Sequence, residues 1–207
     1  FVLHLVMTGT FVAAPLALAG AGLPGGSHWE IYLPVFGGSV ALMGPLIMLA
    51  ERRERTKQVF LAAVALVALA HAVLAVAGGG LVGIGLGLLV FFTGFNVLEA
   101  TLPALVSRAA PAAHKGTAMG VYSASQFLGA FAGGLAAGAL DGLGGPPLVF
   151  AALAVVAVAW LAASLPMRVP RALTSYIVPL GPAPADQVAH ELAGLPGVEE
   201  AVVVEIG

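Results

Sequence analysis

Residues 49–57 read Leu-Ala-Glu-Arg-Arg-Glu-Arg-Thr-Lys and hold half of the chain's eight cations, Arg52, Arg53, Arg55 and Lys57. The rest stand at two other places, Arg108 with Lys115, and Arg168 with Arg171. Around these basic sites the sequence divides into six long apolar stretches, at 1–18, 31–50, 58–77, 81–106, 117–140 and 147–165. The cations follow the second, fourth and sixth stretches, and the loops after the first, third and fifth contain none. Lys and Arg resist translocation, so loops that carry them stay cytoplasmic. Eight cations scattered over two faces would all fall on one face roughly once in a hundred cases, so the bias sets an orientation. The pattern predicts an all-α polytopic membrane protein with six transmembrane helices and both ends in the cytoplasm.

Composition points the same way. Hydrophobic residues make up 60% of the chain and charged residues 9%, with a mean hydropathy of +1.04. A soluble domain carries about 25% charge. A net charge of −2 gives no footing for nucleic-acid binding. Cysteine is absent, which removes disulfides and thiolate metal sites. The expected partner of such a surface is the lipid bilayer, and no cofactor or metal is expected. Each stretch is near the ~20 residues a helix needs to cross ~30 Å of hydrocarbon. A closed barrel would need alternating ten-residue segments, which the sequence lacks. Trp29 and Tyr32, beside the cation-free loop 22–29, fit an interfacial aromatic belt. The chain opens on Phe1 inside an apolar run, and is expected to be a piece of a longer protein.

The stretches differ in polarity. The third holds only His71 beyond Gln58 at its end, and the sixth is apolar until Ser164, so both are expected to face lipid. The first carries His4, Thr8 and Thr10, the fourth Thr93, Asn96, Glu99 and Thr101, and the fifth Ser123, Ser125 and Gln126. Polar groups are costly against lipid tails, so these three should face protein or a water-filled cavity. Glu99 is the one acid well inside a stretch. It lies nine residues before Arg108, about 13 Å along a helix, and therefore in the cytoplasmic half. His4, Thr8, Thr93, Asn96, Glu99, Ser123 and Gln126 are the candidates for a substrate or ion pathway. Each also has a structural reading: Glu99 bonded to a neighbouring helix, His4 a hydrogen-bonded packing histidine, Ser123 and Gln126 interhelical bonds. His71 is taken as structural.

The fifth stretch is lined with small residues four apart, Gly129 with Gly133 and Gly134 with Gly138. Such spacing lets helix backbones approach closely, and Gly129→Leu or Gly133→Leu should disturb packing while Ala157→Leu on the sixth stretch is tolerated. A Gly-x-Gly-x-Gly at 83–87 lies inside a stretch and reads as packing, not as a nucleotide site. An intramembrane enzyme would need Ser123 or Ser125 facing His4 or His71. A sensor would bind its ligand or ion in a cytoplasmic domain and use the membrane part only as an anchor, and the polar first, fourth and fifth stretches argue against a mere anchor.

After Arg171 the composition changes, dividing the chain into 1–171 and 172–207. Residues 175–180 and 199–206 read as strands flanking a helix at 185–193, a truncated β-α-β stub too small to bury its own core.

Taken together, these residues resemble the C-terminal half of a major facilitator superfamily transporter. Leu49, Ala50, Glu51, Arg52, Arg55 and Lys57 are similar to that superfamily's short acidic-basic loop between the second and third helices of a half, with Ile47 and Glu54 where the motif has glycines. Leu3-His4, Thr8 and Phe11-Val12, then residues 95–100 (Phe-Asn-Val-Leu-Glu-Ala), then 115–123 and 126–129 resemble YajR-type inner-membrane transporters, grouped with drug:proton antiporters. The resemblance implies one half of a major facilitator fold, built of two inverted three-helix repeats, followed by the start of a ferredoxin-like cytoplasmic domain. It further implies alternating access for a small-molecule substrate, as proton-coupled efflux, together with an N-terminal six-helix half outside this chain. Alone, the chain would be inactive.

Overall fold

The computed structural model describes residues 1–52, 55–76, 80–111, 114–168, 184–196 and 198. Among them, five helices are long and apolar enough to cross a membrane: α1 (Val2–Gly20), α2 (Trp29–Arg52), α3 (Thr56–Val76), α4 (Leu81–Ala109) and α5 (Lys115–Ser164). A short sixth helix, α6, spans Ala185–Ala193, the range read from the sequence. The expected strands at 175–180 and 199–206 fall outside the described residues, as do Arg53 and Glu54. Among the described residues the chain is all α-helical, with the apolar spans of a polytopic membrane protein.

Helix α1 ends where a glycine takes over the left-handed region. Gly22 has φ 87°, its N–H donates to Ala19 O, and Leu23 N–H reaches back to Leu18 O. This paired closure satisfies terminal carbonyls and turns the chain toward a short 3₁₀ turn at Gly25–Ser27 before α2. Proline stands inside α1, α2, α4 and α5. At Pro103 it leaves the Glu99 carbonyl without its helical donor, yet α4 runs on to Ala109.

The sequence predicts separate fifth and sixth helices, and the run labelled α5, Lys115–Ser164, is two helical arms that meet at a break. At Gly144 (φ −155°, ψ 16°) and Gly145 (φ 69°, ψ −172°) the backbone leaves the helix, and Pro146 and Pro147 follow. Gly145 sits where a side chain would be strained, and prolines with preset φ suit the first turn beyond it. The two arms lie beside the same part of α1. A Cβ on Gly133 would fall 2.9 Å from the Leu5 carbonyl carbon, and one on Gly9 would fall 2.9 Å from the Leu153 side chain. Residues 133 and 153 would be about 30 Å apart on a straight helix, so the chain doubles back at the break.

Close backbone approaches set the packing. Gly129 and Gly133 meet the α1 backbone at Phe1 and Leu5, as the four-residue spacing predicted, and a Cβ on Gly94 of α4 would lie 2.7 Å from the Ala63 carbonyl of α3. Around these contacts Leu88, Phe91, Leu98, Val64, Val67 and Phe150 form the buried core.

The third and sixth stretches, expected to face lipid, leave Leu69, Val73, Val155 and Val158 outward and also bury a face each. Helix α3 buries Val59, Ala63, Val67, Ala70, His71 and Leu74 along one face, and the second arm of α5 buries Val149, Phe150, Leu153 and Ala157. Phe60 packs edge-on against Trp160 across that interface. Ala157 is 0% exposed, so it does not serve as the tolerant position the sequence suggested. An apolar stretch satisfies lipid and protein interior equally, so hydropathy cannot separate the two. Large apolar side chains are left outward on α2 (Leu33, Phe36, Leu42) and on the first arm of α5 (Val121, Phe127, Phe131).

Candidate functional site

Three helices meet at one polar group. His4 comes from α1, Glu99 from α4, and Gln126 with Tyr122 from the first arm of α5. Gln126 Nε2 is the hub: it donates to Tyr122 Oη at 3.0 Å and to Glu99 Oε1 at 3.2 Å, and lies 3.4 Å from His4 Nε2. His4 Nε2 stands 4.0 Å from Glu99 Oε2. Close packing of α1 on α5 through Gly129 and Gly133 places this group, since Gln126 is one turn before Gly129 and His4 lies between Phe1 and Leu5. Phe95, one turn before Glu99, meets the His4 ring edge-on at 6.4 Å.

The proton inventory of this group is open. The Gln126 amide has two hydrogens and three neighbours able to accept them. Glu99 Oε2 and His4 Nδ1 are buried without hydrogen-bond partners among the described residues. A buried polar atom left unbonded costs ~1–3 kcal/mol. A proton taken up by His4 would make its 4.0 Å separation from Glu99 Oε2 an ion pair. The His4 side chain is 17% exposed and that of Glu99 39%, so Glu99 is the more accessible of the two although its Oε2 is buried.

The structure therefore brings together His4, Glu99 and Gln126, and leaves the other candidates elsewhere. Asn96, a pathway candidate on the same helix as Glu99, turns to α2, where its Nδ2 donates to Ser39 Oγ at 3.0 Å; Ser39 in turn donates to Phe36 O at 2.7 Å. Thr93 donates to Leu89 O in its own helix at 2.8 Å. Thr8 packs its methyl near Gly134, and neither it nor Ser123 joins the group. Ser125 donates to Tyr122 O at 2.7 Å, and among the described residues no serine pairs with His4 or His71. Sequence reasoning missed Tyr122 and Ser39. Tyr122 precedes Gln126 by four residues, a spacing that puts both on one helical face and could have flagged it. Ser39 gave no comparable signal. Of the loop motif, Arg55 is exposed and Lys57 half-buried at the start of α3, while the side chains of Glu51 and Arg52 lie outside the described residues. No group of three or more His, Asp or Glu able to hold a metal occurs among the described residues.

No family model matches the chain. Over 98% of its length it is 38% identical to the inner membrane transport protein YajR of Escherichia coli (strain K12), of which it covers 45%. A 55-residue stretch, 27% of the chain, is 49% identical to 14% of an uncharacterized transporter of Buchnera aphidicola subsp. Baizongia pistaciae (strain Bp). Another 133 residues, 64% of the chain, are 26% identical to 34% of an uncharacterized transporter of Buchnera aphidicola subsp. Acyrthosiphon pisum (strain APS). The chain thus spans less than half the length of the curated relatives it matches.

Proposed function

From its kinship over nearly the whole chain with an inner membrane transport protein, we propose that the chain is the C-terminal half of a major facilitator transporter that moves a small solute by alternating access. In this reading α1 to α4 and the two arms of α5 are six spans, forming two inverted three-helix repeats. A second six-helix half lies outside this chain, and the two rock about a site near the bilayer midplane. The three cation-bearing loops and both ends face the cytoplasm of an inner membrane, and residues from 172 onward open a cytoplasmic ferredoxin-like domain. No catalytic step is assigned.

Proton coupling through Glu99 and His4 is the second part of the proposal. The observation that carries it is the Gln126 amide shared among Glu99, Tyr122 and His4 at the meeting of three helices, with one carboxylate oxygen and one imidazole nitrogen still unbonded. A proton arriving at Glu99 removes a charge that lipid-level surroundings disfavour and releases Gln126 to its other acceptors. Departure of the proton restores the charge.

The test uses the full-length protein in proteoliposomes with an imposed pH gradient, screened over small solutes until the wild type moves one. Glu99→Gln preserves shape and hydrogen bonding but cannot ionise. Loss of gradient dependence with unchanged melting temperature supports the coupling role. Unchanged gradient dependence removes it and leaves Glu99 as a packing residue.

A further inference from the structure

His71 is fully buried where four segments meet. On its own helix the Val67 carbonyl lies 2.7 Å from Nδ1, and from α1 Thr10 Oγ1 lies 2.8 Å from Nε2. Phe91 of α4 stands edge-on with ring centroids 5.3 Å apart, and Phe150 of the second arm of α5 at 6.4 Å. Thr10 is likewise fully buried, and its Oγ1 is also 2.6 Å from the Val6 carbonyl.

Counting protons fixes the directions of these bonds. A carbonyl only accepts, so Nδ1 carries a hydrogen for Val67. With the ring's one proton there, Nε2 presents a lone pair. Thr10 has a single hydroxyl hydrogen and two acceptors in reach, Nε2 and Val6 O. The Val6 carbonyl is already engaged by the helical N–H of residue 10, whereas Nε2 has no other donor among the described residues. The 2.6 Å contact to Val6 O competes for the same hydrogen, but Val6 O keeps its helical N–H while an Nε2 without a donor would cost ~1–3 kcal/mol, so the hydroxyl hydrogen is assigned to the imidazole.

We propose that Thr10 and His71 are a positioning pair, in which Thr10 donates to Nε2 of an Nδ1-protonated His71 and thereby fixes the register of α1 against α3, and with it the place of His4 beside Gln126 and Glu99. The bearing on transport rests on the proton-coupling reading above; the bond itself does not. Apolar packing between helices in lipid has no strong directional preference, and a buried polar pair is a means of setting register. Helix α1 is held to α5 at Phe1 and Leu5 and to α3 at Thr10, and His4 lies within that interval. The His4–Gln126 separation of 3.4 Å is at the long limit of a hydrogen bond, so a slip of α1 by a few tenths of an ångström breaks it. The groups that face His4 are Glu99 of α4 and Tyr122 and Gln126 of α5.

The experiment uses full-length protein in lipid nanodiscs with ¹⁵N-labelled histidine, the His71 signals being assigned by their loss in His71→Gln. The expected wild-type spectrum gives His71 a protonated Nδ1 and an unprotonated Nε2. A protonated Nε2 overturns the proposal. Thr10→Val keeps shape without the hydroxyl, and Thr10→Ser keeps the hydroxyl. His4 proton affinity, read from its own signals, should change about twofold or more in Thr10→Val, the low end of coupling within one bonded network, and stay at the wild-type value in Thr10→Ser. Equal affinity in Thr10→Val and wild type overturns the positioning role. If Thr10→Val does not fold, Thr10→Ala, which also lacks the hydroxyl, takes its place: wild-type His4 affinity there overturns the positioning role, and the wild-type tautomer tests the bond itself. Failure of the coupling reading is recognised separately, by unchanged gradient dependence in Glu99→Gln.

Discussion

Replacing Gly133 by alanine sets two effects of known sign against each other. Alanine is the better helix former by about 0.8–1.0 kcal/mol, so on an open helix face the change should be neutral or stabilising. At Gly133 the new Cβ would sit 2.9 Å from the Leu5 carbonyl carbon and Cα, where ordinary contact begins near 3.4 Å. Those atoms are backbone and cannot rotate aside, so α1 and α5 must part by about half an ångström or more. Overpacking of this kind costs ~1–3 kcal/mol. The clash therefore equals or outweighs the propensity gain, and net destabilisation of about 0–2 kcal/mol is expected. Gly120 and Gly138 lie on the same arm, and a methyl added at either would meet nothing within 4 Å, so they receive the gain without the clash. The assay is thermal unfolding of the full-length protein with alanine at each of Gly120, Gly129, Gly133 and Gly138. Gly133→Ala should melt below Gly120→Ala and Gly138→Ala, and Gly129→Ala, facing Phe1, should follow it. If Gly133→Ala is as stable as Gly120→Ala, the close approach of α1 to α5 does not hold the bundle together.

Gly94→Ala, whose Cβ would lie 2.7 Å from the Ala63 carbonyl oxygen, should destabilise more than Gly87→Ala, which meets only the movable end of Leu74; the ranking of melting temperatures checks this. Removing Asn96 or Ser39 breaks the α2–α4 bond, and a double-mutant cycle on unfolding free energy should give a coupling near 0.6 kcal/mol, the usual worth of such bonds in membranes. Val155→Leu, at a position 70% exposed, should leave stability within about 0.5 kcal/mol of wild type, in contrast to Ala157→Leu, which overfills a closed site. Arg55→Cys in the otherwise cysteine-free chain should react with an impermeant thiol reagent only from the cytoplasmic side; labelling from outside intact cells would reverse the orientation.

The spans were legible because crossing lipid imposes a length and a composition that few other structures share. Residues 1–18 and 58–77 fall almost where α1 and α3 run. Gly129 and Gly133 also announced themselves, since a four-residue spacing of small residues has one common use in a membrane. Burial was less legible. Leu74 and Leu69 have the same hydropathy and lie on the same helix, yet one is buried and the other exposed, and only the position of α4 decides between them. The polar residues divide in the same way. His4, Glu99 and Gln126 were recognisable as costly groups needing company, but sequence could not say that they supply it to one another. Asn96 met the same criterion and found Ser39 instead, because its side chain leaves α4 toward α2. His71 carried no sign of its partner, since Thr10 lies 61 residues earlier.

His4, Glu99, Gln126 and Tyr122 all belong to one half of the proposed transporter, and that has a mechanical consequence. If the halves rock as rigid bodies, the separations of 3.2 Å between Gln126 and Glu99 and 4.0 Å between His4 and Glu99 are the same in both end states. What alternates is then the water that reaches Glu99, whose side chain is exposed where that of His4 is enclosed. Proton exchange would follow the opening of the cavity and would need no rearrangement of the four side chains. A local slide of α1 would instead have to break the Thr10–His71 bond and drag its backbone past Gly129 and Gly133, where backbone atoms already touch. Packed interfaces of this kind resist continuous deformation, so α1 should move with α3 and α5 rather than against them. Cysteines placed at Thr8 and Gly134, which adjoin across the α1–α5 contact, should therefore cross-link without blocking transport by the full-length protein. Transport arrested by that cross-link and restored on reduction would mean that α1 slides, and that the polar group is remade in each cycle.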